Sequence, residues 1–225
     1  MIPILDNSER ARRTILFFWV LLGTYILVTL VSLLVLVTGT QTADESNQAG
    51  LVTMAFGLSF VLMLGVHLAV VVVYIQWFRR AYHNLQKAGH RTEMTEGWAA
   101  GSWFVPFANM VLPYRIMKEI WYKTQVESTQ TPEGHTIVRT WWLMFLGGNI
   151  ASRVLDKLAD EDNLSEVAFY AIVSSGIHII GILLAVRVVR KVAGFEEGFM
   201  QRLRIETVGQ QPEMVDEADD REEQY

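Results

Sequence analysis

Thr14-Ile15-Leu16-Phe17-Phe18-Trp19-Val20-Leu21-Leu22-Gly23-Thr24-Tyr25-Ile26-Leu27-Val28-Thr29-Leu30-Val31-Ser32-Leu33-Leu34-Val35-Leu36-Val37-Thr38 runs without a single charge. A hydrocarbon layer about 30 Å thick needs about 20 mostly apolar residues of helix, and this stretch exceeds that. Arg10, Arg12 and Arg13 precede it, while Gly39 to Gly50 holds Asp44 and Glu45 and no basic residue. The apolar core is longer than the 7–15 residues of a secretory signal and no small-residue cleavage site follows. The stretch is therefore expected to stay as an anchor.

Working outward, residues 51–78 repeat the pattern, with His67 and Gln76 as the strongly polar interruptions. A third run covers 167–189, broken by Ser174, Ser175 and His178 up to Val186. A shorter one at 138–155 carries Asn149 and Arg153. The sequence thus predicts an all-α polytopic membrane bundle with four spans. Its 225 residues are 51% hydrophobic and 19% charged, which excludes a disordered or collagenous chain. Without cysteine, a disulfide framework, a thiolate metal site and a cysteine nucleophile are excluded too.

Charge predicts the orientation. Arg79, Arg80, Lys87, Arg91, Arg115, Lys118, Lys123 and Arg139 lie between the second and fourth runs, and Arg187, Arg190, Lys191, Arg202 and Arg204 follow the last. Only Arg153 and Lys157 fall in the other connection, among Asp156, Asp160, Glu161, Asp162 and Glu166. The positive-inside rule then puts both termini in the cytoplasm. All seven tryptophans, including Trp98 and Trp103, fall near the same boundary, as an aromatic girdle would place them.

Between the spans, Gly97-Trp98-Ala99-Ala100-Gly101-Ser102-Trp103-Phe104-Val105-Pro106-Phe107-Ala108-Asn109-Met110-Val111-Leu112-Pro113-Tyr114-Arg115 is weakly polar but broken by Pro106 and Pro113. Proline lacks an amide donor and clashes with the carbonyl four residues back, which argues against one straight helix. The interfacial segment 97–123 reads as a re-entrant or surface element, with Asn109 satisfying freed backbone groups and a helix starting at Pro113. Ile116, Ile120 and Trp121 would form that helix's apolar face.

The string Trp77-Phe78-Arg79-Arg80-Ala81-Tyr82-His83-Asn84, then Gly97-Trp98, Trp103-Phe104-Val105-Pro106-Phe107-Ala108-Asn109, Pro113-Tyr114 and Trp121 resembles the bacterial membrane proteins grouped as domain of unknown function 4328. Trp141-Trp142, Asn149 and Arg153 are similar to that family's later segment. The resemblance covers roughly residues 60 to 192 and implies a multi-pass bacterial membrane protein of unassigned activity. The long first connection and the acidic tail depart from the pattern.

Candidate chemistry is sparse. His67 and His178 fall at similar depth on two spans, which is how a bis-histidine haem is held; the alternative is interhelical hydrogen bonding, with no cofactor at all. Asn149 and Arg153 could line an ion or substrate path, or Arg153 could snorkel outward and pair with Asp156. Arg79, Arg80, Asn84 and Lys87 could bind anionic lipid or only mark topology. No glycine-rich phosphate loop, His-Glu-x-x-His or Gly-x-Ser-x-Gly occurs, so a non-enzymatic scaffold, sensor or accessory module is expected ahead of a small oligomeric transporter opening at Pro106–Pro113. An acidic tail and the lack of a basic groove pattern argue against nucleic acid as a partner.

Past residue 192, Phe195, Phe199 and Leu203 continue an apolar stripe begun by Val188 and Val192. This amphipathic extension, 193–205, would dock on the inner surface or pair with a second subunit through 188–203. Residues 206–225 carry eight acids against Arg221, so the net charge of −5 belongs to a tail expected to be disordered. Residues 1–13 form the cytoplasmic N-terminus, and 14–192 the membrane domain.

Overall fold

The structure is a computed structural model that describes residues 4–38, 46–128, 131–160 and 163–209. The tail expected to be disordered lies outside the described residues from 210 onward. Six α-helices make up the fold, with no strand among the described residues: α1 (Ser8–Thr38), α2 (Ser46–Lys87), α3 (Glu96–Gly101), α4 (Leu112–Glu127), α5 (Thr136–Leu158) and α6 (Leu164–Gly209). A single 3-10 turn, Ala108–Met110, lies between α3 and α4.

The helix starts follow local chemistry. The Ser8 amide donates to Asp6 Oδ1 at 2.8 Å, supplying one of the orphan amides that open a helix with an acceptor. Pro113 sits buried in the first turn of α4, where a missing amide costs nothing. By contrast, α6 passes through the expected junction at 192 unbroken and reaches Gly209, so span and extension are one helix. Gly194 and Gly198 do not interrupt it.

α1 packs along α2 on one side and α6 on the other, and α5 packs on α6. Small residues allow the last contact: a Cβ on Gly148 would come within 3.1 Å of Ile177, and Ser152 Oγ meets Ser174 Oγ at 2.9 Å. Three helices, Ser8–Thr38, Met54–Lys87 and Leu164–Ile205, are long and apolar enough to cross a membrane. Their outer faces expose Leu16, Leu30, Leu58, Val61, Leu64 and Ile180. An apolar surface on that scale belongs in lipid, since soluble monomers rarely expose contiguous patches beyond a few hundred Å².

The tightest packing lies at the basic end of the bundle. Trp77, Phe78, Tyr82 and Leu85 of α2, Ile116, Met117, Ile120 and Trp121 of α4, and Val189 and Val192 of α6 are closed off from solvent. Phe195 meets the Trp121 ring edge-on at 5.1 Å. The stripe at 188–203 is therefore largely covered by this chain's own helices, with Val188, Val192, Phe195 and Phe199 all buried. The girdle reading needs a similar correction. Trp77, Trp121, Trp141 and Trp142 are buried in protein, with Tyr74 packed on Trp77 and Trp141, Phe195 on Trp121 and Trp103 on Trp142.

Candidate functional site

At the basic end, Asn7 leads into α1 and reaches α6. Its amide nitrogen donates to both carboxylate oxygens of Glu196, at 3.0 and 3.1 Å, and to the Trp77 carbonyl at 3.3 Å. Asn84 holds the same strand of chain, accepting from the Leu5 amide at 3.1 Å and donating to the Leu5 carbonyl at 2.8 Å. Burial pushes the Glu196 carboxyl up to about 7, against the lowering effect of the Asn7 and Asn84 hydrogen bonds. Asn84 is thus a buried clamp on the N-terminal segment and takes no part in a basic surface.

The rest of the expected basic surface also divides. Arg79 pairs with Glu96 at 2.8 Å, and Glu96 accepts from His83 at 2.7 Å. The His83 hydrogen bond, aided by Arg79, holds the Glu96 carboxyl below the usual range. Arg80 is half-buried and Lys87 exposed at the end of α2. A different set of cations gathers nearby: Arg91, Arg115, Lys118 and Lys123 surround a shallow hollow of about 1050 Å³ on α4. Glu119 pairs with Lys123 and accepts from Tyr82 Oη at 2.6 Å, and burial, with Glu119 beside it, raises the Tyr82 phenol.

Val111 also borders that hollow and ends the proline-broken segment. Trp103 anchors the segment, its ring lying 5.4 Å from Tyr74, 5.9 Å from Phe78 and 6.0 Å from both Trp142 and Phe145. Beyond the anchor the chain turns outward: Phe104 is 71% and Phe107 84% exposed, with Val105, Pro106 and Met110 beside them. Backbone bonds hold this tip. Ala108 donates to Pro106 O at 2.8 Å, Asn109 to Val105 O at 3.0 Å, and Val111 to Ala108 O at 3.1 Å. Asn109 therefore contributes through its backbone, and its exposed side chain does not do the expected work. Trp98 is part-exposed on α3.

Two hollows open farther along the helices. Asn109, Asn149 and Arg153 border a cleft of about 260 Å³. The Asn149 amide donates to Phe145 O at 2.7 Å. No Arg153–Asp156 ion pair forms; Arg153 is exposed and borders the cleft beside Asn149 and Asn109. Trp103, Phe145 and Asn149 also border a second space, a cavity of about 200 Å³ between α1, α2, α5 and α6 that His67 and His178 both line. The His178 ring stacks on Tyr25 with centroids 4.9 Å apart, and its Nδ1 lies 2.9 Å from Ser174 O. Sequence depth alone had placed these histidines level; their shared cavity needed the helix rotations.

No curated protein and no solved structure matches the chain. The family model described as Domain of unknown function (DUF4328) matches residues 40–197, beginning within the first connection and ending beside Glu196. That match takes in α2 to α5 and most of α6, and the chain belongs to this DUF4328 family.

Proposed function

We propose that the protein is a non-enzymatic membrane module with four spans, whose segment 97–123 binds anionic phospholipid at the cytoplasmic face. The observation that carries this reading is the continuity of an exposed apolar tip, Phe104 to Val111, with the basic hollow at Arg91, Arg115 and Lys118. A tip of this kind enters the acyl layer while the cations after it reach the phosphates, each worth about 1 kcal/mol near an anionic surface. Support for α5 as the fourth span comes from its 23 residues, about 34 Å at 1.5 Å per residue. With α5 counted, the basic connections and both termini share one side.

The cysteine-free chain allows a direct test. A nitroxide on Phe107→Cys should be relaxed by oxygen and shielded from a water-soluble nickel chelate in nanodiscs, and one on Lys118→Cys should report headgroup depth. Phosphatidylglycerol should raise the thermal midpoint relative to phosphatidylcholine, and Arg115→Glu with Lys118→Glu should erase the difference. A water-exposed Phe107 label, or equal stability in both lipids, would sink the reading.

A small oligomeric transporter is the second reading, favoured by the cleft that Asn109, Asn149 and Arg153 share. On that reading a membrane-impermeant maleimide labels Asn149→Cys in intact vesicles. On the lipid-binding reading it does not.

A further inference from the structure

The cavity between α1, α2, α5 and α6 is walled mostly by apolar side chains but carries polar groups without partners. Tyr74 is 6% exposed and its hydroxyl has no hydrogen-bond partner, and the Trp103 indole nitrogen is in the same condition. Tyr25 is 5% exposed and lines the same cavity. Each unpartnered group gives up its bond to water on burial and gains nothing in return. The acceptor side is set by His178. A carbonyl can only accept, so Nδ1 donates to Ser174 O, which leaves Nε2 as the ring nitrogen that can accept.

Shape narrows the occupant. About 200 Å³ falls below the roughly 300–1,000 Å³ of ligand pockets, so one ring fits and a porphyrin does not. Aromatic rings form much of the wall, Tyr25, Tyr74 and Trp103 among them. α2 and α5 do not pack along their lengths, and Val71 and Phe145, which line the cavity from those two helices, are each 37% exposed. That gap leaves a side route to lipid for an apolar tail.

We infer that the cavity binds a neutral single-ring lipophile bearing a hydroxyl, of the alkylphenol class, with its tail toward the bilayer through the gap between α2 and α5. One hydroxyl both donates and accepts, so it serves His178 Nε2 and a tyrosine hydroxyl together. The site is separate from the lipid-binding tip, and its test does not depend on that surface.

The probe is 4-decylphenol, read by native mass spectrometry and by the circular-dichroism melting midpoint of the full chain in nanodiscs. Saturable retention and a raised midpoint are expected, while decylbenzene, which has the tail and ring alone, gives neither. Gly181 lines the cavity and a Cβ there meets nothing within 4 Å, so Gly181→Leu should fill the space and abolish retention. Tyr25→Phe keeps the ring stacked on His178 and should weaken half-saturation about fivefold, as for one lost hydrogen bond. Equal retention of decylbenzene would overturn the inference, as would wild-type affinity in both variants.

Discussion

Asn7 and Glu196 meet across the basic end of the bundle, the Asn7 amide donating to both carboxylate oxygens at 3.0 and 3.1 Å. This contact joins the start of α1 to a turn of α6 far along the chain. It closes the bundle where the three long helices converge, and no cation is among its hydrogen-bond partners.

That environment makes stability depend on pH. Glu196 titrates near 7 in the folded chain against an ordinary 4.5. A raised carboxyl binds its proton more tightly when folded, so its contribution is complete below pH 4.5 and is lost as pH rises toward 7. The difference is about 3 kcal/mol at most. Melting midpoints should fall between pH 5 and pH 8, and Glu196→Gln should flatten the profile. A profile unchanged by that substitution would refute the assignment.

Asn7→Ala should destabilise the fold by about 2–3 kcal/mol near neutral pH, since it removes the donor that binds both oxygens of a buried carboxylate. The loss should shrink at pH 5, where the carboxyl is neutral. Unfolding of the variant at the two pH values measures this directly.

Gly194 and Gly198 should respond in opposite ways. A Cβ at 194 meets nothing within 4 Å, whereas one at 198 would come within 3.1 Å of the Ser128 Cβ. Gly194→Ala should stabilise α6 by about 0.5–1 kcal/mol through helix propensity. Gly198→Leu should push the end of α4 from α6 and lower the midpoint.

Phe107 has φ +64 and ψ −40 at the centre of a γ-turn closed by the Ala108 amide on Pro106 O, a strained conformation that costs a bulky residue about 1–3 kcal/mol. Phe107→Gly should relieve that strain and raise the melting midpoint in detergent. In nanodiscs the same variant should lose the acyl-layer contact and the stabilising effect of anionic lipid. Strain kept at an exposed aromatic tip is what a membrane-inserting role predicts.

Tyr82 ties two pieces of chain together, donating to Glu119 at 2.6 Å and accepting from the Met94 amide at 3.1 Å. Tyr82→Phe should loosen residues 90–95, seen as faster amide exchange there, with a loss of about 1–3 kcal/mol.

The long apolar runs, the proline break and the charge asymmetry were legible because each is a property of local composition. The start of α4 at Pro113 and its buried face at Ile116, Ile120 and Trp121 came from spacing alone. Partner choice was not legible. Arg79 turns to Glu96, Arg153 sides with Asn149, and Asn84 clamps Leu5, since which long polar side chains meet depends on helix rotation and tilt. Glu196 drew no notice within a charged helix, although its place in the stripe of Phe195 and Phe199 was a usable sign. The sequence by itself determined that three helices are long and apolar enough to cross a membrane and that the segment holding Pro106 and Pro113 is broken. Only the tertiary structure decided which faces touch, because burial and hydrogen bonding between segments far apart in the chain are set by packing and leave no local mark.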